Sequence, residues 1–114
     1  MKVTAGADDA ERCSQAFTVA AAGVAAGAEV SLWLTGEAAW FAVPGRAEAF
    51  ELTLATPLAD LLAVVLEGGA VTLCTQCAAR RGITDADTRQ GVRLAGAASF
   101  VEECLSDGVQ ALVY

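Results

Sequence analysis

A mainly parallel β-sheet covered by helices on both faces is the fold this sequence predicts, and three observations predict it. Strand-like and helix-like segments alternate from one end to the other, the pattern of successive β-α-β units. Apolar residues make up 55% of the 114 residues and run through the whole length, so some elements must be buried on both sides. No repeat, linker or low-complexity tract interrupts the order, so residues 1–114 read as one domain, long enough to bury its own core.

Lys2 to Thr4 reads as a short first strand, followed by a polar turn at Gly6 to Asp9. The next segment is helical, with Ala10, Cys13, Phe17, Ala20 and Val24 on its apolar side, and Asp8 with Glu11 forms a capping-box pattern. Gly27 closes that helix. Val30 to Leu34 is the second strand, Thr35 to Glu37 a loop, and Ala38 to Val43 a short helix ended by Pro44-Gly45. Arg46 to Ala55 lacks a regular pattern. Thr56 then reads as a cap, with Pro57 in the first position of a helix lined by Leu58, Leu61, Leu62, Val65 and Leu66. Ala70 to Thr75 is the third strand and runs into a helix beginning within CTQC. Thr84 with Asp87 opens a short helix to about Gln90, and Val92 to Ala95 is the fourth strand. Ser99 with Glu102 marks a last helix, Phe100 to Ser106, and Val109 to Tyr114 completes a count of about five strands.

Composition removes several classes of function. Fourteen acidic residues against seven basic ones give a formal charge of −7, the wrong sign for gripping a phosphate backbone, so no direct nucleic-acid partner is expected. The longest apolar candidate, Ala16 to Ala28, falls short of the roughly 20 residues a membrane helix needs, so no membrane partner is expected either. The opening Met1-Lys2-Val3-Thr4 lacks a long apolar signal region, and a cytoplasmic setting with reduced cysteines is expected. With no histidine there is no Ser-His-Asp set, and Gly6-Ala7-Asp8 has neither the lysine nor the spacing of a phosphate-binding loop.

The chemistry is concentrated in VTLCTQCAARRGI, residues 71 to 83. Cys74 ends an apolar strand, and Cys77 falls one turn into a run of good helix formers. A thiol at the carboxyl end of a strand faces the edge where open α/β sheets bind ligands, and helix amides beside it favour the thiolate. Arg80 and Arg81 can stabilise negative sulfur, although on a helix they point about 100° apart and cannot both face it. Glu37, after a strand end, borders the same crevice; as a lone loop carboxylate its plainer role is solvation. The Cys-x-x-Cys spacing fits thiol–disulfide exchange, with Cys77 resolving a mixed disulfide on Cys74, or a pair of small packing residues. As half of a zinc site it lacks partners: the remaining cysteines, Cys13 and Cys104, are single residues expected where helices meet the sheet. No metal and no cofactor are expected.

The chain resembles the DsrE/DsrF-like family, which includes sulfur-relay subunits of the TusD type, nearly end to end. The likeness is carried by ADDAERCSQAF, EVSLWLTGEA, LADLLAVVLEGGAVTLC, the Ala-Ala-Arg-Arg-Gly-Ile run and the closing VQALVY. Its most specific part is a cysteine ending a strand, six residues before Arg-Arg-Gly-Ile; by spacing, the residue that carries a persulfide in the relay subunits matches Cys74. The resemblance implies a three-layer α/β sandwich, assembly as a homotrimer or homohexamer or as a mixed assembly with related subunits, and a protein sulfur donor or acceptor as partner. The chain departs from the pattern in its short first strand and in Cys77, which many relay subunits lack.

Three functions follow from these residues. The first is a sulfur carrier or sulfurtransferase subunit with Cys74 as acceptor. The second is a dithiol redox protein using Cys74 and Cys77. The third is a non-catalytic oligomeric binding module in which neither thiol matters.

Overall fold

The computed structural model describes residues 1–114. Four parallel strands, β1 (Lys2–Val3), β2 (Ser31–Leu34), β3 (Ala70–Cys74) and β4 (Val92–Ala95), lie side by side in chain order. Helices α1 (Ala10–Ala25), α2 (Leu58–Gly68), α3 (Thr75–Arg81) and α4 (Ala97–Cys104) connect or follow them, with 3₁₀ turns at Ala7–Asp9, Gly36–Ala42 and Asp85–Asp87.

Register divides the side chains between the two faces. Leu32 pairs with Val71 and Val71 with Val92, while Leu34 pairs with Leu73 and Leu73 with Leu94. Side chains alternate along a strand, so these apolar residues share one face. They join Cys13, Phe17 and Ala20 of α1 and Leu58, Leu62 and Val65 of α2 in the main core. An edge-to-face contact between Phe17 and Phe41, with ring centroids 5.7 Å apart, ties the Gly36–Ala42 turn into that core. The opposite face carries Lys2, Trp33, Thr72 and Arg93, which lie in register with one another.

Helix α4 covers this second face. Phe100 packs edge-on against Trp33 at 5.3 Å, and the Glu103 carboxylate accepts from Trp33 Nε1 at 2.8 Å, Ser31 Oγ at 2.7 Å and the Arg93 guanidinium. Arg93 Nε in turn donates to Thr72 Oγ1 at 2.7 Å, so the one fully buried polar side chain of β3 is satisfied. The result is helix, sheet and helix, the expected α/β layering with helices on both faces.

Several boundaries differ from those read in the sequence. The fifth strand is reduced to a bridge between Val113 and Lys2, held by Lys2 N–H to Leu112 O and Tyr114 N–H to Lys2 O; β1 is too short to support more. Helix α1 is capped by Asp9, which accepts from the Arg12 amide, because Asp8 is already engaged by the Gly6 amide at 2.7 Å. Pro57 occupies the cap position of α2 itself, and Thr56 makes no cap. Helix α4 starts at Ala97 after Gly96, three residues earlier than Ser99 suggests, since Ala97 and Ala98 favour helix. Thr84 and Asp87 do form a reciprocal capping box, but the turn they open ends at Asp87.

Candidate functional site

The carboxyl ends of the strands gather three short connections into one place. Thr35 follows β2 and is fastened to β1 by its amide and its hydroxyl, both donating to Val3 O, the hydroxyl at 2.9 Å. Gly36 comes next at φ 50°, a left-handed conformation suited to glycine, and an added Cβ would stand 2.5 Å from Thr4 O. This close approach presses the β2 loop onto the end of β1. It also aims the Gly36 N–H at the start of α3, where it donates to Cys77 Sγ at 3.3 Å.

Cys74 ends β3 as the residue that caps α3, and it is half-buried. Burial is the largest influence on this thiol and opposes ionisation. It is outweighed by the Cys77 amide, the Cys77 thiol as a proton donor, the Gln76 amide and the charge of Lys2, so the pKa lies below the ordinary thiol value. Lys2 reaches this neighbourhood from the second face of the sheet, where its ammonium also sits 5.6 Å from the Phe100 ring centroid.

Cys77 has the opposite character. It is 8% exposed, and burial first, then the hydrogen bond and charge of Cys74, push its pKa up against the opposing Gly36 amide and Arg81 charge. The end of β3 and the first turn of α3 thus hold two unlike sulfurs: a partly accessible one whose pKa is lowered and a buried one whose pKa is raised.

Arg81 and Glu37 close one side of the pair. Arg81 Nη2 meets Glu37 Oε1 at 2.6 Å and Nη1 donates to Cys77 O at 3.2 Å, so this arginine fixes the backbone beside the buried thiol. Arg80 lies exposed on the solvent side of α3, as the angular separation of the two arginines requires. Gly82, at φ 65°, ends the helix, and the Ile83 amide returns to Ala78 O at 3.0 Å, which seats Ile83 in the core.

Of the residues singled out in the sequence, Cys74, Cys77, Arg81 and Glu37 come together and Arg80 stays apart. Cys13 is fully buried in α1 with its thiol pushed up to about 12 by burial and by Asp8 and Asp9. Cys104 is only partly buried, contrary to the expected core position, because α4 turns Phe100 and Glu103 toward the sheet. It lines a cleft with Met1, Ser31 and Ala70 at the amino ends of the strands, away from Cys74. Gly36 and Lys2 were not legible as site residues. Gly36 acts through its amide, and Lys2 through a strand register that places it on the Trp33 face. The described groups of cysteine and acidic residues form no cluster able to hold a metal ion, and no helix is long and apolar enough to cross a membrane.

No curated protein matches the chain. Among solved structures, the ychN protein of E. coli superposes with a TM-score of 0.70 at 16% identity, covering 99% of this chain and 96% of that one, a likeness of fold. The DsrE/DsrF-like family model matches residues 2–113, effectively the whole sheet and every helix described above. The chain belongs to the DsrE/DsrF-like family.

Proposed function

We propose that the protein is a sulfur carrier whose acceptor is Cys74. The family is commonly tied to sulfur relay, and the observation that carries the reading is the state of this one thiol: partly accessible, at the carboxyl end of β3, with its pKa held down. A persulfide acceptor must attack as a thiolate on the terminal sulfur of a donor; Cys74 meets both demands of access and ionisation, whereas the buried Cys13 and Cys77 meet neither. Cys77, Glu37 and Arg81 act as supporting residues that wall and position it.

The donor and recipient are proteins, and the setting is the cytoplasm, where the thiols stay reduced. Assembly as a homotrimer or homohexamer, or with related subunits, is supported by apolar side chains left in solvent along α4 and the closing segment. Val101 is 50% exposed, Leu105 79% and Val113 64%.

Incubation of the reduced protein with a persulfide donor tests this reading. The expected result is a gain of one sulfur, about 32 Da, on the Cys74 peptide. Cys74→Ala should abolish the gain. Sulfur that maps to another cysteine, or that persists in Cys74→Ala, overturns the assignment.

A further inference from the structure

A simple carrier needs no second redox-active sulfur, yet one stands beside Cys74 in Cys77. Its 8% exposure denies it to a protein donor or recipient, and the Gly36 amide and Arg81 hold its sulfur and carbonyl in place. The one reactive centre it is offered to is Cys74, three residues earlier, toward which its thiol already acts as proton donor. Cys74 is the cap residue of α3 and Cys77 its third helical residue. A cap side chain reaches the backbone N–H of that third residue, which brings the two side chains to the same side of the first turn, within a small adjustment of the roughly 3.5–4.5 Å Cβ separation of a disulfide. Cys13 lies buried within α1, and Cys104 lines the far end of the sheet, so neither competes for this role.

We propose that Cys77 is a release thiol, which discharges a persulfide on Cys74 as hydrosulfide and leaves a Cys74–Cys77 disulfide. The inference rests on Cys74 being the acceptor and adds a fate for the sulfur it accepts. The step balances within the site. Cys77 Sγ bonds to Cys74 Sγ, the bond from Cys74 Sγ to the terminal sulfur breaks, and that sulfur leaves with the electron pair and the Cys77 proton as HS⁻. The terminal sulfur is reduced to sulfide and the two cysteine sulfurs are oxidised to the disulfide. A dithiol reductant must then reopen the pair by thiol–disulfide exchange, itself becoming a disulfide. Sulfur delivered to the protein therefore takes one of two routes: a protein recipient takes it from Cys74 first, or Cys77 releases it as a small anion.

The test uses the full reduced chain, without oxygen, and one equivalent of glutathione persulfide, with the hydrosulfide that the persulfide forms alone and with Cys74→Ser subtracted and any glutathione adduct on Cys74 read separately by mass. Intact mass, peptide mass and free hydrosulfide are followed together for the parent, Cys77→Ser, Cys77→Ala and Cys74→Ser. The parent is expected to end two hydrogens lighter, with about one hydrosulfide per chain formed in the exchange. Both Cys77 variants should retain the added sulfur on Cys74 and release at least tenfold less hydrosulfide, and Cys74→Ser should do neither. A parent that keeps the added sulfur as the Cys77 variants do, or passes it intact onto Cys77, overturns the release step and leaves the acceptor reading standing. Absence of added sulfur from the Cys77 variants as well as the parent, with no hydrosulfide formed, overturns the acceptor reading and the release step with it.

Discussion

Substituting Gly36 by alanine tests whether the approach of the β2 loop to β1 builds the site. Two costs combine. An alanine at φ 50° bears the left-handed penalty of roughly 1–2 kcal/mol. Its Cβ would also stand 2.5 Å from Thr4 O, and that oxygen is fixed because it accepts the Glu37 amide at 3.0 Å. Relieving such overpacking costs about 1–3 kcal/mol. The sum, about 2–5 kcal/mol, corresponds to a fall in Tm of about 8–20 °C for a chain of this size. Gly45→Ala is the internal control: φ is 85°, yet nothing lies within 4 Å of an added Cβ, so only the conformational part applies. Thermal unfolding followed by circular dichroism should show Gly36→Ala losing clearly more than Gly45→Ala, and Cys77 in the folded Gly36→Ala protein should become easier to alkylate as its amide partner moves away. Equal Tm losses for the two variants would refute the argument that contact with Thr4, and not backbone conformation alone, requires glycine there.

Other substitutions probe the site and the second face of the sheet. Cys77→Ala removes the thiol that donates toward Cys74, so Cys74 should require a higher pH to alkylate than in the parent, measured as rate against pH. Arg81→Ala frees Glu37 and the Cys77 carbonyl and should alter thiol reactivity, whereas Arg80→Ala should leave both reactivity and stability within about 0.5 kcal/mol of the parent. Glu103→Ala strips the acceptor from Trp33, Ser31 and Arg93 and should cost about 1.5–3 kcal/mol in urea unfolding. Burial works against the Glu103 charge, but the hydrogen bonds from Trp33, Ser31 and Arg93 outweigh it and hold its folded pKa below the usual carboxylate value. Its contribution is therefore full above the unfolded pKa and is lost as pH falls through the folded one; the parent should lose stability across that acidic window, and Glu103→Ala should lose less.

How far the sequence could be read depends on whether a side chain or the backbone does the work. Strands β2, β3 and β4 were legible to within a residue because each is a short apolar run bounded by glycine or polar loop residues. The buried side of α1 followed from the spacing of Cys13, Phe17 and Ala20. Caps were read less well. Asp8, Thr56 and Ser99 all carry suitable side chains, but Asp8 is used by Gly6, and Pro57 and Gly96 take the cap positions through backbone conformation alone. The closing strand was overread because alternation in Val109 to Tyr114 says nothing about the two-residue length of its neighbour β1. At the site, the pairing of Cys74 with Cys77 was visible as spacing, while their opposite characters were not. That difference arises from the burial of Cys77, from the hydrogen bond and charge between the two thiols, and from Lys2 beside Cys74, none of which the spacing reveals; the Gly36 amide works against it.

The inequality of the thiols is the claim on which the account stands, and site-resolved alkylation of the native protein across pH measures it directly. Iodoacetamide pulses read by peptide mass should find Cys74 labelled first, with its half-maximal rate below the pH of an ordinary thiol, Cys77 protected, and Cys13 unlabelled until the protein unfolds. Cys77 labelling as fast as Cys74, or a Cys74 profile at or above that of an ordinary thiol, would contradict the account.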